Sequence, residues 1–161
     1  MNAHARRHFR QARRNGDFAF ISAAQVETAE ISYGRPWTGE EQQELAERLA
    51  RASVAPASRL IMLDDGGSPI GYFWLELRKF GVVFLLDLYV APRQRQQGSG
   101  TSLLREAIRQ AHEMGAREMR LAAASRNQNA TRFFVSHGFE VRDTKVRETA
   151  VWFELGKSLI E

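Results

Sequence analysis

The sequence predicts a single α/β domain in which helices pack on a mixed β-sheet. Two observations lead to this prediction. Apolar stretches typical of strands alternate along the chain with stretches of helical periodicity. A chain of 161 residues with 43% apolar and 26% charged residues is also large enough for one hydrophobic core. No repeat, low-complexity tract or linker divides the chain, so we expect one domain over residues 1–161.

The N-terminal half is predicted to contain one strand, two helices and a β-hairpin. Asp17 is placed to cap the first helix. Thr38 and Glu41 have the spacing of a capping box, which predicts the start of the second helix. A glycine-rich turn between two apolar runs predicts the hairpin. The predicted elements are a strand at 8–12, helices at 18–31 and 40–52, and strands at 59–63 and 70–77.

The C-terminal half is predicted to alternate strands and helices. Residues 82–90 are almost continuously apolar, which indicates a strand that is covered on both faces. A helix from about 100 to 114 follows, with Leu104, Ile108 and Ala111 on one side. The remaining predicted elements are a strand at 118–124, a helix at 129–137, and strands at 139–143 and 150–155.

The composition excludes several kinds of site. The sequence has no cysteine, so disulfides, thiolate metal sites and cysteine nucleophiles are excluded, and we expect no metal. The first 17 residues are too polar for a signal peptide, and no apolar run approaches the roughly 18 residues of a membrane span. We therefore expect a cytoplasmic protein that does not enter a membrane.

Arginine dominates the positive charge. It accounts for 20 of the 23 basic residues, and the net charge is +4. Five arginines lie within the first 14 residues, where there is no acid: Arg6, Arg7, Arg10, Arg13 and Arg14. Such a segment is compatible with a nucleic-acid partner, but a solvated terminus explains it more simply, so we do not expect nucleic acid.

The segment Val90–Leu104, VAPRQRQQGSGTSLL, places two glycines where a strand becomes a helix. Free backbone N–H groups at a helix N-terminus bind phosphate, and glycine lets the anion approach closely. Arg93 and Arg95 add positive charge at the same turn. The segment has no lysine for a Walker P-loop, and Leu103 stands where a dinucleotide fingerprint needs its third glycine. The glycines alone are equally compatible with a plain turn.

Two blocks of the sequence together resemble the GNAT superfamily of acyl-CoA-dependent N-acetyltransferases. In LDLYVAPRQRQQGSGTSLL, Arg95, Gly98 and Gly100 fill the family pattern [RQ]xxGx[GA] after a strand and a proline. The block NQNATRFFVSHGF is similar to NxxAxxFYxxxGF of the family, with matches at Asn127, Ala130, Phe133, Gly138 and Phe139. The resemblance covers roughly residues 5 to 157.

The resemblance implies a fold and a co-substrate. The fold would be a single-domain, mixed and mostly antiparallel sheet of six to seven strands with about four helices. A β-bulge would splay the strand ending in Leu88, Tyr89 and Val90 from the strand at 118–124, and acetyl-CoA would bind in that gap. The Leu88 N–H would polarise the thioester carbonyl. The implied cofactor-binding residues are Leu88, Tyr89, Val90, Arg95, Gln96, Gln97, Gly98, Ser99, Gly100, Thr101, Asn127, Phe133 and Phe134, although an apolar Phe pair on a helix is usually part of a core.

The catalytic residues are less well defined, because the sequence departs from the family pattern twice. Phe134 replaces the tyrosine that often acts as acid, and Leu86 occupies the common glutamate position. Asp87 and His137 are the remaining candidates. Strand alternation places Asp87 opposite Leu86 and Leu88, and it is either a base or a carboxylate paired with arginine. His137 is either a catalytic group or a helix-end cap.

The implied activity is transfer of acetyl from acetyl-CoA to a primary amine, by direct attack, on a small molecule or on a peptide or protein. The alternative is an acyl-CoA-binding module without transferase activity. Tyr33 and Tyr89 are further candidate acids, and solvent could also serve. The acceptor pocket would be lined from the first two helices by Glu27, Glu30, Tyr33 and Trp37. The sequence leaves open the identity of the amine and whether the chain forms a homodimer.

Overall fold

A computed structural model describes residues 6–148 and 150–160, and they form the α/β fold that the sequence predicts. Among these residues, no helix is long and apolar enough to cross a membrane. The helices are α1 (Asp17–Tyr33), α2 (Gly39–Ala52), α3 (Ser99–Glu113) and α4 (Gln128–Ser136). The strands are β1 (Arg7–Gln11), β2 (Ser58–Asp65), β3 (Ser68–Leu77), β4 (Val82–Val90), β5 (Glu118–Ala124), β6 (Glu140–Arg147) and β7 (Ala150–Ser158).

The seven strands form one sheet in the order β1-β2-β3-β4-β5-β7-β6. Every neighbouring pair is antiparallel except β4 and β5, which are parallel. The fold class, the order of the elements and the mostly antiparallel sheet are therefore confirmed. The parallel pair lies at the centre, between two antiparallel halves.

Apolar side chains cover both faces of the sheet and form two clusters. The α3-side cluster packs α3 and α4 on the sheet; it includes Phe73, Leu75, Val83, Leu85, Leu103, Leu104, Met119, Leu121 and Phe134. The α1-side cluster packs α1 and α2 on the other face; it includes Ile21, Ala24, Leu45, Leu49, Met62, Tyr72, Trp74 and Tyr89. The two clusters explain why β4 is apolar at almost every position.

Strand β4 splays away from β5 after a short parallel contact. Its pairing with β5 is confined to residues 82–84 against residues 118–120. On the other edge, the register with β3 shifts, so that Trp74 pairs with Asp87 while Leu75 pairs with Leu85. Leu86 is thus the extra residue of a β-bulge. The splayed central pair that the resemblance implied is present.

The bulge corrects the predicted direction of Asp87. Simple alternation put Asp87 opposite Leu86, but the extra residue breaks the period of two. Leu85 and Leu88 pack with the α3-side cluster, whereas Leu86 packs with the α1-side cluster. Asp87 bonds to residues of that second face, so Leu86 and Asp87 lie on the same side.

The two predicted helix starts have different outcomes. The capping box at α2 is present, because Thr38 Oγ1 accepts from the Glu41 N–H at 3.1 Å and Glu41 Oε1 accepts from the Thr38 N–H at 3.0 Å. Asp17 is not the cap of α1. The N-cap is Gly16, without a side-chain bond, and Asp17 is the first helical residue. Its carboxylate is engaged by an arginine of the preceding strand.

That arginine, Arg10, forms a buried charge cluster with Asp17 and Asp64, here called the Arg10 cluster. Arg10 donates to both Asp17 oxygens at 2.6 and 2.9 Å and to both Asp64 oxygens at 2.6 and 3.2 Å. Both carboxylates are buried, each 4% exposed. Burial opposes ionisation of Asp17, but bonds from Arg10 and the Arg13 N–H outweigh it and lower its pKa. The cluster joins β1, α1 and β2.

The Arg10 cluster also bears on the arginine-rich N-terminus. Arg10 is bonded within the cluster, and Arg7 donates to Ser99 Oγ at 3.1 Å and lies 3.6 Å from Asp65. These two arginines tie β1 to β2, α1 and α3. Their contacts favour the interpretation without nucleic acid.

Candidate active site

A cavity of about 680 Å³ passes through the gap between the splayed strands. Its wall includes β4 from Phe84 to Leu88 and β5 from Arg120 to Ala124. Asn127, Ala130 and Phe134 of the α4 region close it on one face, and residues of α1, α2 and β3 close it on the other. The cavity therefore reaches both faces of the sheet at the place where the strands leave each other unpaired.

Asp87 lies in the wall of this cavity with two uncharged side-chain donors. Its Oδ2 accepts short hydrogen bonds from the Tyr72 hydroxyl and from the Gln25 amide. Burial raises the pKa of Asp87 to about 6, although hydrogen bonds from Tyr72, the Leu88 N–H and Gln25 favour the ionised form. The sequence also suggested that Asp87 could pair with an arginine, but its side-chain partners among the described residues are Tyr72 and Gln25. With a pKa of about 6, this carboxylate is mostly ionised at neutral pH and can accept a proton.

The local sequence explains how these two donors reach Asp87. Gln25 stands between Ile21 and Ala29 at intervals of four, so it projects from the buried face of α1. Tyr72 pairs in register with Tyr89 of β4, and the two rings stack with centroids 5.8 Å apart. The fully buried Tyr72 ring holds its hydroxyl beside the carboxylate, and that burial first, then Asp87, raises the Tyr72 pKa.

Tyr89, Glu27 and Arg95 form a second group at the end of β4. The Tyr89 hydroxyl donates a short bond to Glu27, and Arg95 donates to Glu27 at 2.9 Å. Arg95 also donates to the Val90 carbonyl at 2.8 Å. Burial, then Glu27, raises the pKa of Tyr89 to about 12. Arg95 thus bonds to both Glu27 and Val90, and the Val90 carbonyl already has a hydrogen-bond partner within the protein.

The predicted phosphate turn has the backbone that its glycines suggested. Gly98 adopts a left-handed φ of 81° as the N-cap of α3, and Gln96 has a φ of 61°. A Cβ added at Gly100 would lie 3.4 Å from Phe133 Cε2, an ordinary contact. The Gln97 amide donates to the Arg93 carbonyl at 3.4 Å, and Ser99 is buried. The protein itself does not need glycine at 100.

His137 lies at the end of α4 and next to the turn. Its Nδ1 lies 2.7 Å from the Phe133 carbonyl and its Nε2 lies 3.1 Å from Thr101 Oγ1. Its ring packs on the Phe133 ring with centroids 4.4 Å apart. The residue is the C-cap of α4 and does not line the cavity. His137 therefore lies apart from Asp87, and its ring connects α4 to α3.

The second sequence block builds the other side of the cavity. Asn127 is the N-cap of α4, and its Oδ1 accepts from the Ala130 N–H at 3.2 Å. Phe134 is buried against Phe139, with ring centroids 5.4 Å apart, and lines the cavity. Phe133 is half-buried and meets Phe134 edge-on at 5.1 Å. Both phenylalanines thus pack with the α3-side cluster, and Phe134 also faces the cavity.

Two of the four predicted acceptor-pocket residues line the cavity. Tyr33 and Trp37 do, with ring centroids 6.5 Å apart. Glu27 is turned to Tyr89 and Arg95, and Glu30 is exposed. Sequence reasoning missed four cavity-wall or supporting side chains: Gln25, Tyr72, Trp74 and Trp152. Of these four, only Gln25 could have been identified from the sequence, because it is a polar residue among apolar ones that recur every four positions along α1.

Metal chemistry has no visible site in the described part of the chain. No group of three or more His, Cys, Asp or Glu side chains is placed to hold an ion there. The groups that line the cavity include Asp87, the backbone of the splayed strand and several aromatic side chains.

Comparison with known proteins places the same segments in one family. The model of the Acetyltransferase (GNAT) family matches residues 23–139. Aminoglycoside N(6')-acetyltransferase type 1 of Klebsiella aerogenes is 31% identical over 107 residues, which cover 62% of this chain and 70% of that protein. An uncharacterized N-acetyltransferase of Mycobacterium bovis is 26% identical over 98 residues, 61% of this chain and 63% of its own length.

Solved structures share the fold over almost the whole chain. A GNAT-family acetyltransferase of Staphylococcus aureus Mu50 has a TM-score of 0.79 and 13% identity, covering 96% of this chain and 99% of that one. Spermidine N-acetyltransferase of Vibrio cholerae, in complex with CoA and spermine, has a TM-score of 0.77 and 17% identity, covering 96% of each chain. PaiA N-acetyltransferase of Thermoplasma acidophilum, in complex with coenzyme A, has a TM-score of 0.74 and 20% identity, covering 94% and 98%. At these identities the likeness concerns the fold.

Proposed function

The chain belongs to the GNAT family of acetyltransferases, and from this premise we propose that it transfers an acetyl group from acetyl-CoA to a primary amine. The observation that carries the proposal is Asp87, an ionisable carboxylate with a pKa of about 6 in a cavity between splayed strands. Relatives named for amine acetylation and neighbours crystallised with CoA support the same reaction. Residues 1–161 would act as one domain.

Acetyl-CoA would bind along the unpaired edge of β4. Beyond residue 84 the strand has no partner on its β5 side, so backbone groups there are available to a pantetheine arm. The arm would pass Phe134, and the Asn127 amide would donate to it. The pyrophosphate would bind at the N–H groups of residues 95–101, where the left-handed Gly98 opens α3. Phe133 and Gly100 would form the floor of that turn.

Asp87 would act as the general base. An amine arrives at neutral pH as an ammonium ion and must lose a proton before it attacks the thioester carbon. A carboxylate with a pKa of about 6 is ionised then and accepts that proton, directly or through water. The Leu88 N–H, next in the chain, donates to the Asp87 carboxylate, so it would bond to the oxyanion of the tetrahedral intermediate only after it leaves that carboxylate. The base and the oxyanion donor would thus be adjacent residues at one bulge.

The departing thiolate would be protonated by solvent rather than by a side chain. Phe134 has no proton to give, and Tyr89 has a pKa of about 12 and is bonded to Glu27. Burial, then Glu41, also raises the pKa of Tyr33. A thiolate whose conjugate acid has a pKa near 8.5 is a weak base toward such phenols and leaves without a dedicated acid.

The second candidate function is an acyl-CoA-binding module without transferase activity. Phe134, in the position where relatives often carry a tyrosine, is the observation that favours it. The two functions differ in one outcome, because both require acetyl-CoA to bind and only the first releases CoA when an amine is present.

The test combines calorimetry with thiol release. We expect acetyl-CoA to bind and a panel of primary amines to release free thiol, which is detected without background because the chain has no cysteine. Binding without release from any amine would favour the module, and no binding would contradict both functions.

A matched pair of glycine variants tests the turn. Gly100→Ala places a methyl group that the protein accommodates but that the pyrophosphate would meet, so we expect about tenfold weaker acetyl-CoA binding. Gly39→Ala is the control, since Gly39 also lies in a first helical turn and a Cβ there meets nothing within 4 Å. Equal affinities for the two variants would reject the turn as the pyrophosphate site.

A further inference from the structure

Positive charge predominates among the residues around the cavity. Among the described residues, five cations and two acids line it: Arg48, Arg78, Arg120, Lys145 and Arg147, with Asp87 and Glu154. All five cations are exposed at the surface, so they form a rim rather than a buried site. This balance does not favour the entry of an ammonium ion, because like charges repel it.

Three of the five rim cations have carboxylate partners. Arg78 lies 2.8 Å from Glu76, Arg120 lies 3.1 Å from Glu118, and Lys145 lies 2.9 Å from Glu154. Two more acids, Glu41 and Glu148, lie close enough to Tyr33 to raise its pKa, and both pair with Arg35. Arg48 and Arg147 have no carboxylate partner among the described residues. These two guanidinium groups are the uncompensated charges of the rim.

The rim lies on the face of the sheet that α1 and α2 cover, away from the predicted phosphate turn. Arg48 belongs to α2 and lies over the Trp74 ring, 5.0 Å from its centroid. Arg147 is on β6, where alternation puts it on the same side as Lys145. Lys145 pairs in register with Trp152, whose ring contacts Tyr33 of α1 at 5.3 Å. The turn at α3 packs on the opposite face, so these arginines are not placed for the pyrophosphate.

The wall below the rim adds hydrogen-bond donors that lack acceptors. Trp37, Trp74 and Trp152 all line the cavity, and the indole N–H of each is buried without a partner. An indole N–H is only a donor, so a ligand that satisfies it must bring an acceptor. The same rings also provide faces that attract an ammonium ion near Asp87.

We propose that the acceptor is an amine that carries a carboxylate or phosphate-like anion at its other end, and not a polycation. The inference rests on the proposed function and names its substrate class. The ammonium end would reach Asp87 between the aromatic rings, while the anion would bind Arg48 and Arg147 at the rim. This class differs from the amines named for the aminoglycoside and spermidine acetyltransferases that the chain resembles.

Intrinsic fluorescence provides a direct binding test, since the only tryptophans of the chain are the three that line this cavity. The protein, saturated with CoA, is titrated with ω-aminobutanoate and ω-aminohexanoate, each against the diamine of the same chain length. Aminoalkylphosphonates of equal length show which anion is preferred. We expect the better anionic amine to bind at least tenfold more tightly than its matched diamine. A diamine that binds as tightly or more tightly overturns the proposal.

Single substitutions assign the preference to the rim. Arg48→Gln and Arg147→Gln should each weaken binding of the anionic amine several-fold and leave binding of hexylamine, which has no anion, within about twofold. Arg51→Gln is the control, because Arg51 is exposed on the same helix as Arg48 and does not line the cavity. Equal losses for hexylamine and the anionic amine, or a loss in the control as large as in the other two, would contradict the assignment.

Turnover separates this proposal from the proposed function. If the enzyme acetylates the anionic amines with the higher kcat/KM, both are supported. If it acetylates diamines preferentially, the substrate class is wrong and the acetyl transfer stands. If no amine is acetylated but the fluorescence preference persists, the transferase function is wrong and the anion-binding cavity stands.

Discussion

Two carboxylate sites of this chain, the buried Arg10 cluster and the half-buried Asp87, differ in the presence of a cation. In the Arg10 cluster, Asp17 and Asp64 each accept two bonds from a guanidinium group. The donors to Asp87 among the described residues are the Tyr72 hydroxyl, the Gln25 amide and the Leu88 N–H, none of which is a cation. The pKa of Asp17 is therefore lowered, while burial raises that of Asp87 to about 6. An acid that is paired with a cation stabilises the fold, and we propose that Asp87, which is paired with none, takes up a proton in the reaction.

Asp87→Asn is expected to have the largest effect. The amide keeps the shape and can accept from Tyr72 and Gln25 but cannot take a proton, so kcat should fall about 10²–10⁴-fold. The measurement is thiol release with saturating acetyl-CoA and any accepted amine. Calorimetry should show unchanged acetyl-CoA affinity in this variant. A kcat within about threefold of wild type would remove Asp87 from the mechanism.

Arg10→Met tests the other site. It leaves two buried carboxylates without their cation, which should lower the free energy of unfolding by about 3–5 kcal/mol. Urea denaturation measures the change. Arg14→Met is the control, because Arg14 is exposed, and it should stay within about 0.5 kcal/mol of wild type. If Arg10→Met unfolds at the same urea concentration as the control, the cluster does not stabilise the fold.

The two sites should also affect stability in opposite directions. Burial raises the Asp87 pKa from 3.8 to about 6, so between these values the folded protein holds a proton that the unfolded chain has released. The folded state therefore loses stability as the pH rises through this window. Above it, Asp87→Asn should be more stable than wild type by about 1–3 kcal/mol, and below it the difference should vanish.

Asp17→Asn is the counterpart of that variant. The Asp17 pKa is lowered, so its contribution to stability is present above the unfolded pKa and is lost as the pH falls through the folded value. We expect this variant to be less stable than wild type near neutral pH. Thermal unfolding of both variants across pH measures the contrast. The same direction of change at both positions near neutral pH would contradict it.

The smallest effect concerns the Tyr72 hydroxyl. Its hydrogen bond favours ionised Asp87, so Tyr72→Phe should raise the acid-side midpoint of kcat/KM by about one pH unit or less. Tyr89→Phe is the matched control, because its ring stacks on Tyr72 but its hydroxyl bonds to Glu27. The control midpoint should not move. Equal midpoints in all three proteins would show that the Tyr72 bond does not tune the base.

The sequence predicted the order of the elements because helical and strand periodicities are local, and the two family blocks indicated the splayed strand pair. It did not predict which face Asp87 occupies, since one bulge residue, Leu86, reverses the alternation. The sequence pattern assigned Asp17 to a helix cap. In the structure Asp17 instead pairs with Arg10, and Arg10 is held in place by Asp64, which lies 54 residues further along the chain. Trp74 and Trp152 meet at the cavity only through the sheet order, which local patterns do not contain.

The most direct test of the central claim is the titration of Asp87 itself. Carbon NMR of a protein labelled at the aspartate carboxyl carbons follows each group with pH, and the resonance missing from Asp87→Asn assigns the signal. We predict a midpoint of about 6 for Asp87, well above that of Asp17. A midpoint at or below the ordinary aspartate value of 3.8 would contradict the account of Asp87 as a half-buried base without a cation.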